Sequence, residues 1–145
     1  MKRFVLDAST TLSWCFEDER APGSEAALDA LGSGAEALAP ALWTYDVLNV
    51  LAVARRRKRL TQAQSATFWN ELRKLPIEVD SGPGDDAAVE IMALAEQYGL
   101  SAYDAAYLEL ALRESLPLAT LNADLNRAAR TAGVKNAFDL LRPRP

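Results

Sequence analysis

Phe4-Val5-Leu6-Asp7-Ala8-Ser9, close to the amino terminus, is the stretch that decides the fold. Three apolar residues run without a polar interruption and stop at an acid. A strand with one wet face alternates polar and apolar residues. A continuous apolar run instead marks a strand buried on both faces, as in a parallel sheet. Asp7-Ala8-Ser9 then leads into a short helix expected over residues 10–16. Working outward, helices are expected over residues 21–31, 42–59, 61–75, 85–98 and 123–131, and from Ser101 or Tyr103 to about residue 115. Thr61 reads as an N-cap. Gly32-Ser33-Gly34, Gly99 and Gly133 read as helix stops. Shorter runs at 37–39, 77–79 and 116–120 are expected strands, with a last short one at Ala137-Phe138. Strands alternating with helices predict an α/β fold with a central, mostly parallel sheet. No repeat or linker divides the chain, so residues 1–145 read as a single domain.

Composition narrows the chemistry. Hydrophobic residues make up 50% and charged residues 25%, which is globular composition. The one cysteine, Cys15, excludes an intramolecular disulfide and a cysteine zinc site, and reads as a buried small hydrophobe. Histidine is absent, so histidine triads, general bases and metal ligands are excluded together. The apolar start is cut short by Asp7, which fits neither a signal peptide nor a membrane span and leads to the expectation of a cytoplasmic protein without a membrane partner. Trp14, Trp43 and Trp69 read as packing residues.

Charge is unevenly placed. The chain carries −4 overall, yet Arg55-Arg56-Arg57-Lys58-Arg59 concentrates five positive charges. The run reads either as a solvated helix end, where cations complement the dipole, or as a contact for RNA or a partner.

Sites in open parallel sheets form beyond the carboxyl ends of the strands. Asp7 ends the first strand, and Asn122 and Asp124 follow the strand near 116–120. Asp46 and Asp104 lie near the starts of their helices. Asp46 shares a stripe with Val50, Val53 and Ala54, and Asp104 one with Leu108, Ala111 and Leu112, so both are expected to face the core. Singly, each also reads as a first-turn acid favoured by the helix dipole. Together, Asp7, Asp46, Asp104 and Asp124 make an all-oxygen set that suits Mg²⁺ or Mn²⁺. Carboxylate clusters holding such ions hydrolyse phosphodiesters by activating water and stabilising the leaving oxygen.

Four segments carry a resemblance: Phe4-Val5-Leu6-Asp7-Ala8-Ser9; Ala41-Leu42-Trp43-Thr44-Tyr45-Asp46-Val47-Leu48-Asn49-Val50-Leu51; Leu100-Ser101-Ala102-Tyr103-Asp104-Ala105-Ala106-Tyr107-Leu108; and Leu116-Pro117-Leu118-Ala119-Thr120-Leu121-Asn122-Ala123-Asp124-Leu125. In this order and spacing, the chain resembles the PIN-domain ribonucleases, specifically the VapC-type toxins of bacterial toxin–antitoxin pairs. The resemblance implies a three-layer α/β/α fold and a metal-dependent endoribonuclease with Mg²⁺ or Mn²⁺ as cofactor. It also implies a VapB-like antitoxin partner, an RNA substrate and a homodimer. Asp7 and Asp104 match the family's two most dependable metal-site aspartates. Asp46 stands where the family usually has Glu. Asn122 stands where many members have the fourth Asp, and Asp124 is the nearby acid. Ser9, Asn49 and Ser101, or Tyr103 in place of Ser101, are expected to hydrogen-bond these carboxylates. Two rival readings remain: a non-catalytic module that binds antitoxin or RNA, and a phosphohydrolase with Asp7 as nucleophile. The second lacks the customary acid two residues on, where Ser9 stands.

Overall fold

A computed structural model describes residues 2–141. Its centre is a four-stranded, wholly parallel sheet in the order β3-β2-β1-β4. The strands are β1 (Arg3–Leu6), β2 (Glu36–Ala39), β3 (Ile77–Val79) and β4 (Leu118–Ala119). Phe4, Val5 and Leu6 are fully buried, as their continuous apolar run requires. β1 pairs with β2 on one side and with β4 on the other, Leu6 lying opposite Ala119. The chain first winds outward from β1 through β2 to β3, then returns past β1 to β4. The strand order therefore reverses between β1 and β4, and that crevice is where α/β sheets place ligands.

The helices are α1 (Ala8–Ser13), α2 (Pro22–Leu31), α3 (Leu42–Arg56), α4 (Gln62–Leu72), α5 (Asp85–Tyr98), α6 (Ala102–Glu114), α7 (Ala123–Thr131) and α8 (Ala137–Leu141). With the sheet they form a three-layer α/β/α fold. α6 packs on β1 and β4 with α5 against it, while α2 packs on β2 and meets α8, which reaches β4. α6 is the most central helix: Ala105 to Ala111 are buried without interruption. Trp43 is buried beside Trp69, their ring centroids 6.4 Å apart. The Trp14 and Trp43 indoles donate to the Ser24 carbonyl and the Thr11 hydroxyl.

Several expected boundaries move, each for a local reason. α1 begins at Ala8 because the Asp7 side chain accepts the Thr10 N–H and so caps the helix. Thr61 caps α4 as expected, with Gln64 completing the capping box, but α4 ends at Leu72. Gly99 ends α5 in the left-handed conformation, φ 66°. α3 stops at Arg56, and Lys58 turns left-handed at φ 60°, so the basic run is a helix end followed by a sharp turn. The strand expected at Ala137-Phe138 is instead the start of α8. The Asn136 side-chain oxygen accepts the Phe138 N–H and starts a helix there, leaving only an isolated bridge between Leu118 and Asn136. Cys15 is half-buried rather than buried, and burial with the nearby Glu19 charge pushes its thiol pKa up.

The contact between α2 and α8 depends on Gly23. A Cβ built there would lie 2.6 Å from the Phe138 ring, too close for real atoms. Gly23→Ala should therefore cost about 1–3 kcal/mol through overpacking. Thermal melting checks this, with a Tm several degrees below wild type expected and an unchanged Tm contradicting the packing assignment.

Candidate metal centre

Asp7 sits where the carboxyl end of β1 meets the first turn of α1, beside the carboxyl end of β4. Its backbone N–H bonds the Ala119 carbonyl at 3.2 Å, so the β1–β4 pairing fixes its place. The side chain is buried, at 4% exposure, without an ion-pair partner among the described residues. A carboxylate in that position must be satisfied by donors. Thr10 N–H donates to Oδ1 at 2.9 Å, the Ser9 hydroxyl lies 2.8 Å from both oxygens, and the Thr120 hydroxyl donates to Oδ2.

The hydroxyl protons have a defined direction. Leu121 N–H donates to the Ser9 oxygen and Asn122 N–H to the Thr120 oxygen, each at 3.0 Å. Each hydroxyl has one proton, and with a backbone donor on its oxygen it turns that proton to Asp7. Three donors on a group with about four acceptor positions leave one position open. Burial still dominates, and the Asp7 pKa is raised above its usual value despite bonds from Thr120, Thr10 and Ser9 that lower it.

Asp46 and Asp104 are half-buried at the rims of their helices. The core stripe of α3 is Trp43, Val47, Leu51 and Ala54, not the stripe containing Asp46 and Val50; Val50 is exposed. Leu112, expected to share the core stripe of Asp104, is exposed too, while Leu108 and Ala111 are buried. Both acids are thereby left half-buried, and Asp104 feels the charge of Asp46. Burial raises the Asp46 pKa, and a 2.9 Å hydrogen bond from the Tyr107 hydroxyl opposes the rise. Burial also raises that of Asp104, helped by the negative charges of Asp46 and Asp124 and opposed by Ser101. Tyr107 is held neutral by burial and by the fields of Asp46 and Asp7. Asp46 and Asp124 thus both act on Asp104, and Asp46 and Asp7 both act on Tyr107.

The remaining expected residues fall differently. Ser101 caps α6, accepting the Asp104 N–H at 3.1 Å. Asn122 caps α7, its side-chain oxygen accepting the N–H groups of Asp124 and Leu125. Asp124 is exposed and pairs with Arg127 at 3.1 Å. Asn49 and Tyr103 are exposed, and neither bonds a carboxylate among the described residues. In the basic run, Arg59 folds back onto Asp18 at 3.2 Å and over the Phe16 ring at 4.1 Å. Arg55, Arg56, Arg57 and Lys58 are exposed, with no carboxylate in ion-pair range among the described residues. Sequence reasoning missed Thr120 and Tyr107 as partners of the acids. Neither contact leaves a signal in the local sequence, since each partner lies far along the chain.

The donor set is hard and all-oxygen, as Mg²⁺ and Mn²⁺ prefer. Among the described residues, no three acids converge tightly enough to chelate an ion on their own. Mg²⁺ commonly uses only one or two carboxylates and keeps several waters. The open position on Asp7, the mutual repulsion at Asp104 and the raised pKa values fit such an ion, whose charge would relieve that repulsion.

A family model described as PIN domain matches residues 4–131. Among solved structures, the chain is similar to PAE2754 from Pyrobaculum aerophilum, with TM-score 0.71 and 21% identity over 97% of this chain and 93% of that one. It is also similar to FitAcB from Neisseria gonorrhoeae, with TM-score 0.62 and 17% identity over 92% and 95%. A toxin–antitoxin complex from Klebsiella pneumoniae matches with TM-score 0.57 and 18% identity over 82% and 86%. No curated protein matches the chain's sequence.

The raised acids make a prediction for the metal-free protein. A carboxylate whose folded pKa lies above its ordinary value of 3.8 favours folding most when protonated, and that advantage is lost as pH rises through the folded pKa. Asp7→Asn keeps the shape and removes the charge. In chelator it should melt no lower than wild type at neutral pH, and any gain should narrow as pH falls towards the ordinary carboxylate range. Melting curves across that window check this; an Asn variant that is less stable at neutral pH contradicts it.

Proposed function

The chain belongs to the PIN-domain family, and on that premise we propose that it is a metal-dependent endoribonuclease, the VapC-type toxin of a VapBC-like toxin–antitoxin pair. The observation that carries the reading is the buried Asp7 carboxylate at the β1–β4 crevice, with no ion-pair partner among the described residues, together with Asp46 and Asp124 acting on Asp104. Asp7 and Asp104 would anchor Mg²⁺ or Mn²⁺, with Asp46 and Asp124 joining directly or through water. Such an ion supplies the Lewis acidity that activates water and stabilises the leaving oxygen of a phosphodiester.

The chain's own residues do the rest. Ser9, Thr10 and Thr120 hold Asp7 in one orientation, so its open acceptor position does not wander. Ser101 does the same for Asp104 from the start of α6. Asn122 keeps its oxygen on the α7 backbone, which favours Asp124 over Asn122 as the fourth oxygen donor. Arg55, Arg56, Arg57 and Lys58 offer exposed cations, without an ion-pair partner among the described residues, for RNA phosphates; Arg59 serves the fold instead. The antitoxin partner draws support from the Klebsiella pneumoniae neighbour, itself described as a toxin–antitoxin complex. The homodimer rests on the resemblance alone. The Asp7-nucleophile alternative is disfavoured because Ser9 stands where its customary second acid would be. The non-catalytic alternative draws on Asn122, whose side chain brings no charge to the site.

Cleavage of a total RNA pool with Mg²⁺ or Mn²⁺ tests the reading. Wild-type protein should cut, chelator should stop it, and folded Asp7→Asn and Asp104→Asn should each lose more than about 100-fold, beyond the cost of losing an outer partner. Either variant cutting at the wild-type rate contradicts the site. The basic run has its own test. Neutralising Arg55, Arg56 and Arg57 should weaken RNA binding and flatten the log–log salt dependence by about 2 units, while single-turnover cleavage at saturating RNA stays unchanged. An unchanged slope returns the run to a solvated helix end.

A further inference from the structure

Tyr107 is 2% exposed, yet its hydroxyl reaches a half-exposed carboxylate on another helix. The ring is fixed within the buried stretch of α6, between Ala106 and Leu108, one turn beyond Asp104. The hydroxyl donates to Asp46 Oδ2 at 2.9 Å. The phenol carries a single hydroxyl proton, and the bond to Asp46 takes it. Asp46 is otherwise unrestrained: its neighbours Tyr45 and Asn49 are exposed, and no other donor reaches it among the described residues. One rigid phenol therefore ties α6 to α3, the two helices that carry Asp104 and Asp46.

We infer that Tyr107 is a positioning residue, whose hydroxyl holds Asp46 by Oδ2 and presents Oδ1 to a divalent cation or its water shell. The inference rests on the proposed metal centre. A free aspartate on an exposed helix edge samples several rotamers, and ordering it is an entropic cost to ion binding. A donor anchored in the core removes most of that cost before the ion arrives. Tyr107 touches no substrate in this scheme and acts only through Asp46.

The test is Mn²⁺ binding followed by calorimetry, without RNA. Tyr107→Phe keeps the ring and its packing; melting in chelator verifies its fold. It should weaken Mn²⁺ binding by roughly 10-fold or more, the range for losing a partner that orients a ligand. 4-Aminophenylalanine at the same position restores a donor and should recover most of the affinity. In an Asp46→Ala background, Tyr107→Phe should have no further effect. Wild-type affinity in Tyr107→Phe, an equal loss with Asp46 already removed, or no recovery with the amino donor overturns the inference while leaving the metal centre standing. A wild-type protein that binds no Mn²⁺ overturns the metal reading and the positioning role with it.

Discussion

The structure turns on one constraint: a carboxylate, Asp7, is buried at the end of a strand whose Phe4, Val5 and Leu6 are fully buried. An acid in that position must be surrounded by donors or give up its charge. The fold meets the demand with the groups that define its local geometry. The Thr10 N–H that Asp7 accepts is in the first turn of α1, and the Thr120 hydroxyl comes from the residue that follows β4. Ser9 in turn holds the backbone just after β4 through Leu121. Capping a helix, joining β1 to β4 and fixing a charge are here one set of hydrogen bonds.

That economy explains which parts could be read from the sequence. Phe4-Val5-Leu6 has only one sensible setting, and the parallel sheet follows from it. The helix periods around 42–56 and 102–114 were equally plain, because each has a long apolar stripe. Asp46 was misplaced in its helix: Val50 and Val53 share its spacing, yet the core is met by Val47 and Leu51 instead. Spacing gives a stripe; only packing decides which of two neighbouring stripes turns inward. The Ala137-Phe138 segment failed differently, because a short apolar pair follows an asparagine able to cap a helix.

Thr120 and Tyr107 mark the limit more sharply. Thr120 is separated from Asp7 by more than a hundred residues, and Tyr107 from Asp46 by sixty-one, so neither contact has a local signature. Both depend on strand order and helix rotation, which arise only when the whole sheet is assembled. Charge tells a parallel story. Five consecutive cations looked like one feature, but the left-handed turn at Lys58 divides them. Four stay in solvent, and Arg59 is folded onto Phe16 and Asp18. The result is a negative crevice and a separate positive edge on one acidic body.

The central claim is that these acids, raised by burial and, at Asp104, by neighbouring negative charge, exist to receive a cation. Calorimetry of Mn²⁺ binding in two buffers of different ionisation enthalpy, at mildly acidic pH, tests it most directly. A cation that settles among carboxylates with raised pKa values must displace protons. The account predicts tight binding with net proton release in the wild-type protein, and less release once Asp7 is Asn. Binding with no proton release, or release that does not depend on Asp7, would contradict it.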